Sequence, residues 1–301
     1  SIDAALLDAI NGKTSGDITI ANATNIFGDA TKVKTIFTSS KDNQPTANQI
    51  SGLDLNETVT LKGSSATNAN LKILDAADLK SIAEDTSGLV TIDSSVTELT
   101  GTKTEIQYAL KNDTVGTGTV GVAESALKIT GTENVAITVD TGTLTRAEYI
   151  AIQDNYTTGV ITAELEASTY AELTAKVTGS TTEKKIKSGN RFAVKVTDAS
   201  LTAEKALELG AMTSGAIHLK PTGNMALSGT AAELGQIYGN VVDAKTKDGF
   251  LDTNINATTV TVTDAVVSAA DMHTIADGTN GTKTVTAVTR LVGLAADVKG
   301  F

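Results

Sequence analysis

The sequence predicts an α/β protein, a right-handed solenoid of tandem strand-helix-strand-helix repeats with parallel β-sheets. Three observations carry this expectation. A short helical string closed by a glycine occurs five times along the 301 residues. Each copy is followed by a β-type run that leads into a second short helix. The apolar content of 40% is almost entirely Ala, Val, Ile and Leu, with aromatics at 3% and no Trp. Such side chains suit thin, repeated layers better than one thick core.

The first element of each copy is the helical string: SIDAALLDAINGKTSG (1–16), DAADLKSIAEDTSG (75–88), TLTRAEYIAIQDNYTTG (143–159), SLTAEKALELGAMTSG (200–215) and SAADMHTIADGTNG (268–281). The closing glycines are Gly16, Gly88, Gly159, Gly215 and Gly281, spaced 72, 71, 56 and 66 residues apart. A Ser, Thr or Asp stands before each string as an N-cap, and apolar residues follow at helical spacing. Ala269, Met272, Ile275 and Ala276, for instance, share one helix face. The closing glycine is expected to supply the left-handed conformation that ends the helix.

The second element is a β-type run with a turn that opens another helix, clearest at Leu99-Thr100-Gly101-Thr102 and Leu227-Ser228-Gly229-Thr230. A Thr/Val strand closes the unit: TVTLKG (58–63), NVAITVDTG (134–142), RFAVKVTDA (191–199) and TVTVTDAVV (259–267). The last of these reads equally as one strand or as two short ones bent at Asp264-Ala265. Polar loops at about 41–57, 112–125, 184–190 and 242–256 absorb the variation in length, as rim insertions on a solenoid do. The repeats therefore span 1–41 (partial), 58–113, 126–183, 191–241 and 257–301, in one continuous array. Strands joined through helices are expected to be parallel neighbours with right-handed crossovers. A doubly wound sheet or a barrel would carry longer helices and nearly continuous apolar strands.

The string TVTVTDAVVSAADMHTIADGTNGTKTVTAVTRLVGLAADVKGF (259–301) resembles repeats of giant cell-surface proteins of marine unicellular cyanobacteria. The shared features are a strand ending in Asp, a Val-Ser-Ala-Ala-Asp helix start, a Thr-x-Gly close and an Ala-Asp-Val second helix. The copies at 75–110 and 200–238 carry the pattern well, and those at 143–177 and 1–37 more loosely. Proteins of that family are very large, secreted and held at the cell envelope, and one is needed for swimming without flagella. The resemblance implies an extracellular, structural or motility-linked role and no catalytic residues.

Composition excludes several classes of function. The net charge is −11, and the three arginines (Arg146, Arg191, Arg290) are far apart in sequence, so no nucleic-acid partner is expected. An acidic surface suits a salty medium in which self-repulsion is screened. The chain has no cysteine, which removes disulfides and thiolate metal sites. No apolar run reaches 18 residues, so no membrane insertion is expected. Ser1 opens no charged-then-apolar leader pattern. With no initiating Met and an end inside a repeat, the chain reads as a piece of a longer protein.

Few residues suggest chemistry. Asp140, Asp198 and Asp264 each end a strand ahead of a capped helix, and stacking would set them roughly in a row. Either their carboxylates accept backbone N–H groups in turns and caps, or they bind Ca²⁺ between layers to relieve the like charges. The calcium nonapeptide and the EF-hand loop are both missing. His218 and His273 are the only histidines, and no His-x-x-x-His, Gly-x-Ser-x-Gly or phosphate-loop string accompanies them. The Thr-x-Thr strings at 58–60, 259–263 and 282–286 suggest hydroxyl arrays, but strands reading Ala-Ile-Thr-Val, Ala-Val-Lys-Val and Ala-Ile-His-Leu interrupt the column, and β-propensity accounts for the threonines. Lys184, Lys185 and Lys187 beside Glu183 read as a solvated loop. Gly116, Gly118 and Gly121 open no helix after a buried strand and so form no nucleotide loop.

The expectation is a non-enzymatic structural segment of a giant extracellular surface or filament-type protein. It would act as a spacer or self-assembling layer, with itself or the cell envelope as partner. The alternatives are an adhesin or phage-appendage module binding through the rim loops, and a polysaccharide-active enzyme. The latter needs a convergent cluster of Arg, Lys and acidic groups that the dispersed arginines do not suggest.

Overall fold

The structure is a computed structural model that describes residues 1–41, 50–65, 72–111, 129–155, 158–175, 186, 189–219, 225–239, 241–242, 249–251, 258–294, 296 and 298. Lys184, Lys185 and Lys187, Gly116, Gly118 and Gly121, Pro45 and most of the four polar loops lie outside the described residues. The chain is α/β, with short, mostly parallel strands in several sheets. Its labelled helices are α1 (Ala4–Asn11), α2 (Ala30–Lys41), α3 (Ala76–Asp85), α4 (Lys103–Lys111), α5 (Arg146–Asn155), α6 (Tyr170–Thr174), α7 (Ala203–Met212), α8 (Ala231–Gly239) and α9 (Ala269–Gly278). Two compact units divide the chain, one comprising 1–142 and 151–161, the other 143–150 and 162–301.

The helices begin where local side chains can satisfy their free N–H groups. Asp75 accepts from Ala77, Thr202 from Lys205 and Ser268 from Asp271, each an N-cap. Helices α4, α6 and α8 use a reciprocal box in which the Thr hydroxyl accepts from the N3 amide and the N3 Glu accepts from the Thr amide. Thr102 with Glu105, Thr169 with Glu172 and Thr230 with Glu233 all do so. Each helix buries one small apolar face: Ala76, Leu79, Ile82 and Ala83 on α3, and Ala269, Met272 and Ile275 on α9.

Their C-terminal ends correct the expectation about glycine. Helices α3, α7 and α9 stop at Thr86, Thr213 and Thr279, all in extended conformation. None of the closing glycines has positive φ. Their role is close approach. A Cβ added at Gly88, Gly159, Gly215 or Gly281 would sit 2.1, 2.5, 2.4 or 1.8 Å from the carbonyl oxygen of Glu57, Val135, Phe192 or Thr258 respectively. Gly16, in the first copy, would meet only the Thr14 hydroxyl at 3.6 Å.

In the first unit, one ladder of parallel strands runs Ile2–Asp3, Asn25–Asp29, Thr58–Lys62, Val90–Ile92, Ile129–Thr130. Its inward residues Ile26, Val59, Val90 and Ile129 stack in register and are buried, while Thr60 pairs outward with Thr91. A second ladder takes Lys72–Asp75, Glu98–Thr102 and then Ala136–Leu144. In the second unit, Arg191–Val196, Ala216–Leu219 and Gly249–Leu251 form one ladder. Ser200–Thr202, Ala226–Gly229, Thr259–Val262 and Lys283–Thr284 form another, and Val266–Ser268 pairs with Arg290–Val292. TVTVTDAVV is thus two strands, which break on either side of Asp264-Ala265.

This arrangement revises the expected pairing. The strands are parallel, but around α1 to α4 and α7 to α9 the strand before a helix and the strand after it lie in different sheets. Each pairs instead with the equivalent strand of the next turn of chain. Paired helix-bearing strands begin three parallel ladders, Ile2–Asp3 with Asn25–Asp29, Lys72–Asp75 with Glu98–Thr102 and Ser200–Thr202 with Ala226–Gly229, whereas Ala136–Leu144 before α5 continues the ladder of Lys72–Asp75. Within a pair, the second strand crosses the first residue of the first helix. A Cβ at Gly28, Gly101, Gly229 or Gly293 would lie 3.0, 2.9, 2.6 or 2.9 Å from the Cβ of Ala4, Ala76, Ala203 or Ala269. The Gly of the Leu-x-Gly turn and the Ala that opens the preceding helix are therefore one small-residue contact, written twice per repeat.

Candidate functional site

Two of the three aspartates singled out in the sequence sit just past strand ends and work across the ladder. Asp198 follows the strand Arg191–Val196, and its Oδ2 accepts from the Tyr170 amide at 2.6 Å. Asp264 follows Thr259–Val262, and its Oδ2 accepts from the Ala231 amide at 2.5 Å. Both amides belong to the first residues of helices, α6 and α8, that lie earlier in the chain. A carboxylate there satisfies a free N–H and meets the positive end of the helix dipole. Each aspartate thus caps the helix of the preceding turn of chain rather than its own.

Asp140 differs. It falls inside Ala136–Leu144, at a register shift between Val139 and Thr141. Burial, followed by the charges of Asp75, Glu98 and Glu105, raises its carboxyl above the usual range. Thr138 Oγ1 donates to Glu98 at 2.6 Å, and the Thr102 amide donates to Glu105 at 2.9 Å, so the neighbouring acids are held by protein donors. Among the described residues, no group of three or more His, Cys, Asp or Glu side chains is placed to hold a metal ion. Asp198 and Asp264 are each engaged by a helix amide, a use of the carboxylate that needs no cation.

The polar contacts that recur belong to the Thr-x-Gly strings. The Thr86 hydroxyl donates to Glu57 O at 2.9 Å and accepts from the Gly88 amide at 2.9 Å. Thr213 donates to Phe192 O at 2.7 Å and accepts from Gly215 at 2.9 Å, and Thr279 donates to Thr258 O at 2.8 Å and accepts from Gly281 at 3.0 Å. All three threonines are buried. One hydroxyl ties the end of a helix to the strand of the preceding turn, and the glycine lets the backbones close on it. The sequence marks the glycine, but only the register reveals the threonine's partner.

The histidines occupy ordinary positions. His218 lies outward on Ala216–Leu219 opposite Lys195, which itself pairs with Glu164 at 2.5 Å. Burial and Lys195 lower its pKa. His273 lies on α9. Arg146 opens α5 and donates from Nε to Leu173 O at 2.9 Å and from Nη2 to Ala175 O, so it caps the end of α6. Tyr170 donates to Glu208, which pushes its phenol up to about 12. Glu57 is the least expected finding: only 2% exposed, it accepts the Asp54 amide on Oε1, and its Oε2 has no hydrogen-bond partner.

Grooves among the described residues include two with polar linings. One, of about 470 Å³, runs between the turns at Asp93–Thr97 and Gly131–Val135. The other, of about 220 Å³, lies over Thr202, Ser228 and Thr263 with Glu204 and Glu233. Their carboxylates include Asp93, which accepts the Ser95 amide, and Glu233, which belongs to a capping box. Neither groove is lined by a histidine, arginine or lysine. No helix is long and apolar enough to cross a membrane, among the described residues. Compared with models of known families, with curated proteins and with solved structures, the chain matches none.

Proposed function

We propose that this chain is a structural, array-building segment of an extracellular surface or filament-type protein, a right-handed solenoid serving as spacer or self-assembling layer. The observation that carries the reading is the recurrence of two inter-turn contacts. The Thr-x-Gly clasp binds the ends of α3, α7 and α9 to the preceding strand, and the Ala–Gly contact recurs where Gly28, Gly101, Gly229 and Gly293 cross Ala4, Ala76, Ala203 and Ala269. Stability in such arrays is a sum of near-neighbour terms, and these contacts are the terms. The conspicuous carboxylates support the same reading, because Asp198 and Asp264 are used to cap helices. Placement outside the cell follows from the resemblance of 259–301 to surface-protein repeats and from the acidic, cysteine-free composition.

Immunogold electron microscopy on intact cells that make the protein tests the reading. An antibody against this chain should label the surface without permeabilisation. Labelling seen only after the cells are opened would overturn it.

A further inference from the structure

Strand register revises one expectation about hydroxyl groups. The strands reading Ala-Ile-Thr-Val, Ala-Val-Lys-Val and Ala-Ile-His-Leu, which in sequence interrupt a threonine column, all belong to the nine-stranded sheet. The Thr-x-Thr strings of the second unit lie in a different sheet, where Ser200–Thr202, Ala226–Gly229, Thr259–Val262 and Lys283–Thr284 pair in parallel. Successive side chains on a strand alternate between its two faces. Leu201, Leu227 and Val260 share a register and are buried, so the residues on either side of each point outward.

Those outward residues make two columns. One is Ser200, Ala226 and Thr259, continued by Thr282, whose carbonyl accepts the Val260 amide at 2.8 Å. The other is Thr202, Ser228, Thr261 and Thr284. Seven of the eight are Ser or Thr, and all eight are exposed or half-buried. Of their hydroxyls, only that of Thr202 is engaged within the described protein, accepting the Lys205 amide at 3.4 Å. Charged residues are 20% of the chain, yet the two columns hold no charged and no aromatic side chain. Glu204 and Glu233, which share a groove with Thr202 and Ser228, belong to α7 and α8.

We propose that this face binds ice, with the hydroxyl columns lying along rows of oxygens on the crystal surface. A hydroxyl both donates and accepts, as a water of the lattice does. A neutral array meets a neutral lattice without stripping water from a charge. Threonine side chains are stiff about χ1, so little freedom is lost when they are held against a rigid surface. The columns repeat at about 4.8 Å from strand to strand and stand about 6.6 Å apart along each strand, of the same order as the oxygen repeats on a prism face of ice. The missing groups argue against other ligands: no ring is present to stack on a sugar, and no cation to hold a phosphate or carboxylate.

Ice-affinity partitioning of the 301-residue chain tests this. Ice grown slowly from a dilute solution should take up the chain, while it rejects an ordinary globular protein into the liquid. Thr261 stands within the array and is exposed, so Thr261→Tyr should leave the far-UV circular dichroism unchanged. It should lower uptake by about tenfold, because a ring there holds the lattice away from the neighbouring hydroxyls. Thr282→Tyr, at a second exposed position, should act alike, whereas Thr38→Tyr on α2 should partition as the wild type does. A wild-type chain that stays in the liquid, or folded Thr261→Tyr and Thr282→Tyr variants taken up as well as the wild type, would overturn the proposal. So would binding to cellulose or chitin in place of ice, since the face would then belong to a carbohydrate. Uptake into ice and surface labelling of cells are separate readouts, and either can fail alone.

Discussion

The α5–α6 copy and the α7–α8 copy perform the same task with different side chains. In the second, Ala203 opens the first helix and Gly229 passes over it, so close that one added Cβ would lie 2.6 Å from the alanine's. In the first, Arg146 opens the helix and Ser168 stands where the glycine would be, one residue before the Thr169 capping box. The small contact is gone, and the guanidinium extends to the carbonyls of Leu173 and Ala175. Helix α6 spans only Tyr170–Thr174, half the length of α7. The difference shows that the protein has two ways to join the two helix-bearing segments of a pair. One is apposition of small residues with no side chain between, and the other is a long cationic side chain that caps the neighbour's end. The second is tolerated where the helix to be covered is short.

The largest expected effect lies in the glycines of the close-contact copy. Gly215→Ala sets a Cβ 2.4 Å from Phe192 O, and the clash is with backbone, so the chain must part. A loss of about 3 kcal/mol in unfolding free energy is expected, at the upper end for overpacking. Gly16→Ala, with nothing closer than 3.6 Å, should be neutral in the same urea titration. Equal costs at the two positions would break the distinction between closure by contact and closure by conformation.

Thr213→Val comes next. It keeps the shape of the clasp but leaves the Phe192 carbonyl and the Gly215 amide without the hydroxyl that serves both. Stranding buried backbone groups costs about 1–3 kcal/mol, to be read as a lowered denaturation midpoint. Thr213→Ser should recover most of it.

What the sequence disclosed follows the range of the interactions. Helix starts were legible because Asp75, Thr202 and Ser268 act on amides two or three residues away. The glycines at helix ends were visible as a pattern but were assigned the wrong cause, because their partners are carbonyls of another turn of chain. Asp198 and Asp264 likewise look local, yet the amides they accept from are 28 and 33 residues earlier. Strand partners were hidden for the same reason: pairing skips the strand across the helix. The Thr-x-Thr strands show the consequence. Thr259 and Thr261 pair with Ala226 and Ser228, not with the strands reading Ala-Val-Lys-Val and Ala-Ile-His-Leu that were set beside them in sequence. Glu57 gave no signal, since a glutamate before a Thr/Val strand reads as surface.

Arg146→Ala separates the two kinds of joint directly. It restores the alanine found at Ala76, Ala203 and Ala269 but frees the two carbonyls at the end of α6. Because the guanidinium is partly exposed, the loss should be modest, about 1 kcal/mol. Amide exchange should quicken in Tyr170–Thr174 and not in α7. Faster exchange in both would mean that Arg146 supports more than its neighbour's end.

The smallest effect expected concerns charge rather than shape. Asp140 lies within the strand Ala136–Leu144 rather than at its end, and desolvation followed by the charges of Asp75, Glu98 and Glu105 raises its folded pKa. A carboxyl that is harder to ionise when folded than when unfolded favours the folded state only while it is protonated. Its contribution is complete below the unfolded value and is lost as pH rises through the folded one. Over the mildly acidic range, stability should therefore fall slightly with rising pH on this group's account, against the usual trend for paired carboxylates. Asp140→Asn should remove that slope and stabilise the neutral-pH protein by less than about 1 kcal/mol, since solvent screens much of the repulsion. Thermal melts of the two proteins between acidic and neutral pH give the comparison. Parallel curves would show that Asp140 feels its neighbours no more than a surface aspartate does, and a destabilised variant would show that its charge is bound by a partner after all.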